Sequence, residues 1–297
     1  MEPISARYRE TIMKMIKCSK RELAITTDDV YQPGNADILP FIDSIIEENL
    51  EKGSGIHDLP NLERLLELAD SGKSCLLLLE HYSNFDLPVF SYLLRKAGPA
   101  GTRIAGALVA IAGIKLSETD PVVTAFTEAY SRLVIYPSRS LEIIKANLKD
   151  PKELVAEMMK SSSINRAAMK SLGELKVSGK LVLVFPSGTR YRPWDPSTKR
   201  GVREIDSYLK SFDYMCMVSI NGNILRINPE GAMKEDLICR DTVVYDVSPP
   251  IECAGFREKA KQAKHFGDDR KQANVDALMA ALEAMHEAMD RELQSSC

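Results

Sequence analysis

Apolar residues return along this chain in two rhythms. Between 38 and 52, and again between 60 and 71, they recur every three or four positions, with Leu62, Leu65, Leu66 and Leu68 as the second stripe. That spacing predicts two helices, ended by Gly53 and Gly72. "SCLLLLE" (74–80) is instead apolar without a break and too short for an isolated helix, which predicts a parallel strand covered on both faces. A helix over 87–96 follows, closing at Gly98. Further strands are expected near 103–111, at "RLVIYP" (132–137) and at "KLVLVFP" (180–186), with a helix in "NRAAMKSLGELKVSG" between the last two. Two more strand candidates, "YMCMVSING" and "DTVVYDVSPPI", lie beyond 213. A helix over 268–293 ends the chain, with Val275, Leu278, Met279, Leu282, Met285, Met289 and Leu293 on one face. Strands separated by helices predict an α/β fold with a mixed, largely parallel sheet and helices on both faces. Residues 4–23 form an N-terminal helical stretch. The expected plan is a helical extension over 1–25 and one α/β domain over 26–297.

Charge changes this picture only locally. The 39 basic and 42 acidic side chains leave a net charge of -3, which argues against a nucleic-acid partner and leaves any anion site to a local cluster. Residues 1–23 hold six basic and three acidic side chains. They make either a docked helix with a solvated basic face or a peripheral contact with anionic lipid. The six cysteines are scattered, unlike a disulfide framework or a zinc site, and Cys75 reads as a small buried hydrophobe. No stretch reaches the ~18–20 apolar residues of a membrane span, and the first residues lack the apolar run of a secretion signal. The expected compartment is the cytoplasm or a membrane surface, or the chloroplast stroma for a mature plastid form, and no metal or cofactor is implied.

Three places stand out chemically. "LLLLEHYSNFDLP" (77–89) ends an apolar strand on His81, with Asp86 five positions on. On a straight helix the two would lie about 140° apart. A strand end, a loop and a helix start, with Pro88 in the first turn, can bring them together. An imidazole accepts a proton near neutral pH, and a carboxylate on its other nitrogen fixes the tautomer. The alternative is that Asp86 or Asn84 merely caps the helix. "FPSGTRYRP" (185–193) also follows a predicted strand, and at a carboxyl end, where ligands gather in α/β sheets. If extended, it would point Arg190 and Arg192 to one side as a fork for a phosphate or carboxylate, with Gly188 admitting close backbone approach. Lys199, Arg200 and Arg203 would thicken the field. The alternative is a surface loop whose arginines pair with acids. Arg139, in "YPSRS", would emerge at another strand end, either facing the site or capping a helix. "DVSPPIE" places Pro249 and Pro250 after a strand, as a stiff turn or a pocket wall.

Together these stretches resemble the glycerolipid acyltransferases. "HYSNFD" matches their His-(four residues)-Asp signature, "FPSGTRYRP" their phosphate-binding loop, and "VSPPI" their final proline-containing strand end. Ser187 in place of glutamate, with "RYRP" and "DPST", is similar to the soluble plant-chloroplast glycerol-3-phosphate acyltransferases. The resemblance spans about residues 72–251. It implies His81 as general base and Asp86 as its orienting partner. Arg190, Arg192 and Arg139 would clamp the phosphate, Ser187, Gly188 and Thr189 would form the supporting loop, and Pro249 and Pro250 the acyl pocket wall. Backbone amides near Gly188 are candidate oxyanion donors. Substrates would be glycerol 3-phosphate and a fatty acyl thioester on acyl carrier protein or coenzyme A. One departure is clear: the soluble type usually carries a lysine–histidine pair where Arg139 and Ser140 stand. Acylation of a lysophospholipid, or a lipid-binding module without turnover, are the other readings.

Overall fold

The computed structural model describes residues 1–20, 24–114, 121–262 and 269–295. The expected helical residues 21–23, the start of the last helix at 268 and Cys297 lie outside the described residues. The chain divides into two compact units, one of Met1–Arg9, Asp43–Leu108 and Lys176–Cys297, the other of Glu10–Ile42 and Val109–Leu175.

The sheet of the first unit runs in the order Leu181–Val184, Cys75–Leu79, Tyr214–Asn221, Val244–Val247, Gly55–His57. Cys75–Leu79 is parallel to both neighbours, with Leu78 beside Val184 on one side and Met217 on the other. Val244–Val247 returns antiparallel to Tyr214–Asn221 and parallel to Gly55–His57. Successive strand residues face opposite sides of a sheet, and all five from Cys75 to Leu79 are fully buried. Both faces are therefore covered, as the unbroken apolar run requires. Burial also pushes the Cys75 thiol up to about 12, consistent with a packing role.

Helix Leu59–Asp70 buries Leu62, Leu65, Leu66 and Ala69. It has Pro60 in its first turn and stops where Gly72 takes a left-handed φ of 88°. Helix Arg270–Ser295 buries Val275, Leu278, Leu282 and Met289. Pro249 and Pro250 sit between Val244–Val247 and Ile251–Glu252, both paired to Tyr214–Asn221.

In the second unit, Arg132–Ile135 lies between Leu108–Gly113, parallel, and Tyr31–Gln32, antiparallel. Helices Ser138–Asn147 and Pro151–Leu175 follow. The side-chain amide of Asn165 closes the strand end, accepting from the Tyr136 amide at 2.8 Å and donating to its carbonyl at 3.1 Å.

The strand expected near 103–111 is corrected: helix Pro99–Ala107 occupies most of it and the strand is Leu108–Gly113. Gly98, at φ 96°, lets the chain reverse, and Pro99 opens the next helix at its first position. Gly101 then fits where a Cβ would stand 2.1 Å from the Leu94 carbonyl oxygen. The N-terminal stretch is helical over Ile4–Arg7 and Arg9–Cys18, and Ile4, Tyr8, Ile12 and Met15 are buried. Its apolar stripe thus joins the protein's own core. Among the described residues no helix is long and apolar enough to cross a membrane.

Candidate active site

Strand Cys75–Leu79 delivers His81 to the carboxyl end of the sheet, and helix Asp86–Lys96 begins five residues later. The turn between them brings His81 Nδ1 to 2.8 Å from Asp86 Oδ2. The same oxygen accepts the backbone amides of Tyr82 at 2.7 Å and Ser83 at 2.9 Å. Asp86 is therefore no helix cap: its carboxylate organises the loop behind it. The Asp86 contact takes up Nδ1 of the two ring nitrogens of His81. The imidazole stacks on Phe185 at 4.0 Å between centroids, and Tyr245, fully buried, donates its hydroxyl to the Asp86 carbonyl at 2.7 Å.

Because Leu78 and Val184 are partners in register, the loop after Leu181–Val184 leaves the sheet beside His81. The Tyr191 amide donates to the His81 carbonyl at 2.7 Å, joining the two motifs. The loop turns rather than running extended. Gly188 adopts φ 63°, a left-handed conformation that favours glycine, and its amide donates to the Phe185 carbonyl at 2.9 Å. That amide is consequently committed to the turn. Ser187 donates its hydroxyl to the Thr189 carbonyl at 2.6 Å.

The two arginines do not form the symmetric fork that an extended loop implies. Arg190 is nearly buried and pairs through Nη1 with Asp236, whose side chain is 1% exposed. Asp236 also accepts from Asn84 Nδ2 at 3.1 Å and the Asn228 amide at 3.2 Å. Burial pushes the Asp236 carboxyl upward, against the pull of the Arg190 charge. Arg192 donates from Nη1 to Thr189 Oγ1 at 3.2 Å. Asn84, inside the His-to-Asp signature, thus reaches Arg190 through one buried carboxylate.

A cleft of about 260 Å³ opens at His81. Its walls are Glu80, Tyr82, Pro186, Ser187, Tyr191, Thr198 and Lys199, with Met279, Ala280 and Glu283 from the last helix. Arg190, Arg192, Pro249 and Pro250 are not in that lining. Arg139 belongs to helix Ser138–Asn147 of the second unit, and its side chain lies outside the described residues. No group of three or more His, Cys, Asp or Glu side chains among the described residues is placed to hold a metal ion.

The chain from Ser54 to Phe212, more than half of it, matches the family model described as acyltransferase. The chain belongs to the acyltransferase family. The matched stretch contains both signature loops. No individual curated protein matches closely enough to name a relative.

At the wall of the cleft this acyltransferase has a second histidine–carboxylate pair that the sequence does not reveal. Glu80 is buried and accepts from Tyr82 Oη at 3.0 Å and the Ile220 amide at 2.9 Å, with His286 Nδ1 at 2.9 Å. A charged residue closing an apolar strand needs such partners, but nothing in the order of residues names His286, 206 positions away. Burial pulls the His286 imidazole down; Glu80 and Asp290 outweigh it, and its pKa ends raised. A raised folded value contributes stability fully below the free imidazole's about 6.5 and loses it as pH rises through the folded value. The melting-temperature gap between wild type and His286→Leu should therefore narrow from pH about 6 to about 9. A gap constant across that range would contradict the pairing.

Proposed function

We propose that this acyltransferase moves a fatty acyl group from a thioester, on acyl carrier protein or coenzyme A, to the sn-1 hydroxyl of glycerol 3-phosphate. The product is 1-acylglycerol 3-phosphate. The observation that carries the reading is the His81 Nδ1–Asp86 contact at the rim of a cleft, beside the arginine-bearing loop.

Nε2 of His81 takes the hydroxyl proton as the acceptor oxygen attacks the thioester carbonyl. Asp86 holds the imidazole in the tautomer this needs and balances the imidazolium that forms. The tetrahedral intermediate collapses, breaks the carbon–sulfur bond and expels a thiolate, which takes the proton back from His81. One ester and one free thiol result, with no acyl-enzyme. Arg192, Arg190 and Arg139 are proposed to hold the phosphate. A guanidinium carries five N–H donors, and the Asp236 contact engages Arg190 through Nη1.

A lysophospholipid acceptor is the second reading, favoured by that engagement of Arg190 and by a buried Ser140 where the soluble type usually has histidine. The purified protein, given a labelled acyl thioester and a panel of acceptors, should label glycerol 3-phosphate ahead of lysophosphatidate. The reverse preference would favour the second reading. Thioester binding without any labelled ester would leave a binding module.

A further inference from the structure

Lys199 is the one cation among the described residues that line the cleft at His81. Asp195 builds the one-turn helix Pro196–Lys199 that presents it: the Asp195 carboxylate accepts from the Ser197 amide at 3.2 Å and its hydroxyl at 2.6 Å. Thr198, buried, fixes the same turn to the arginine loop by accepting the Arg192 amide at 2.8 Å. The ammonium lies 5.4 Å from the centre of the Tyr191 ring and pairs with Glu283 of the last helix. Both side chains of that pair remain about a third or more exposed, and ion pairs of this kind are weak and easily exchanged.

The cleft also holds Glu80, which would repel an anion if its charge were open. It is not open, since Tyr82, His286 and the Ile220 amide all engage it. Lys199 and Glu283 are thus the exchangeable charges of the cleft. Arg190, by contrast, is held by a buried carboxylate.

We propose that Lys199 contacts the anionic group of the acceptor, a phosphate monoester, and that Glu283 holds the ammonium in place until that group displaces it. This rests on the reading of a phosphorylated acceptor given above. Glu283 lies outside the matched stretch 54–212, so the last helix would set how tightly the acceptor binds. Lys199 is a binding residue here, and Glu283 a competitor for it.

The two partners should shift the Michaelis constant in opposite directions. Lys199→Met should raise KM for glycerol 3-phosphate about tenfold or more, as loss of a charge-assisted contact does, with a smaller change in kcat. Lys199→Arg should recover part of it, and Glu283→Gln should lower KM about two- to threefold by removing the competing charge. Inorganic phosphate should compete less well against Lys199→Met than against wild type. If wild type acylates glycerol 3-phosphate and Lys199→Met keeps KM within about twofold, the inference fails while the proposed function stands. If Lys199→Met and Glu283→Gln raise KM alike and lower the melting temperature alike, the pair is only a helix clip and the inference fails. If wild type prefers lysophosphatidate, the acceptor reading fails, and the same opposite shifts measured on that acceptor still decide the inference. Turnover with unphosphorylated acceptors alone would overturn both.

Discussion

His81→Ala should lower kcat by roughly 10²- to 10⁴-fold, the range that general-base catalysis contributes. The geometry explains why no neighbour substitutes. Asp86 is buried behind the ring and its Oδ2 is shared with two backbone amides. Glu80 is bound to Tyr82 and His286. The variant loses the stack on Phe185, worth about 0.5–1.5 kcal/mol, so it should still fold with a modest drop in melting temperature. Asp86→Asn is the informative companion. An amide oxygen placed where Oδ2 sits still accepts from His81 and from both amides, so the substitution removes charge more than it removes hydrogen bonds. Its kcat should fall less than that of His81→Ala. Steady-state rates with melting curves check both, and a His81→Ala enzyme of near-normal turnover would refute the assigned base.

Arg190→Ala should show its largest effect on stability rather than on substrate binding. The change leaves Asp236, 1% exposed at its side chain, with two neutral donors and no cation. Breaking a buried ion pair by removing one partner costs about 3–5 kcal/mol. The Asn84 and Asn228 contacts favour the lower end, which corresponds to a fall of roughly 6–12 °C in a chain of this size. Arg190→Met combined with Asp236→Leu removes both charges and should recover much of that loss. A fall under about 2 °C for the single variant would mean that the pair contributes little. Any rise in KM for Arg190→Ala is interpretable only beside this melting curve.

The parts of the site that lie close together along the chain are legible in the order of residues. An unbroken apolar run marks Cys75–Leu79 as a strand buried on both faces, and a strand exit followed by a helix start brings His81 to Asp86 across five residues. The partners of buried charges are not legible there. Arg190 and Asp236 are 46 positions apart and Glu80 and His286 are 206. Which acid meets which base depends on how the returning strands and the last helix cross the sheet. Local rules also misjudge the arginine loop, because a left-handed Gly188 turns a segment that alternation would read as extended. At 103–107 the apolar content suggests the start of a strand, while Pro99 at the first position of helix Pro99–Ala107 decides for helix.

The central claim is direct transfer from thioester to acceptor hydroxyl with His81 as base. Its most direct measurement is thiol release from a labelled acyl thioester under single-turnover conditions, with and without glycerol 3-phosphate. Release should depend on the acceptor, match ester formation one for one, leave no label on the protein, and disappear in His81→Ala. Thiol release at the same rate without acceptor, or labelled protein preceding the ester, would contradict it.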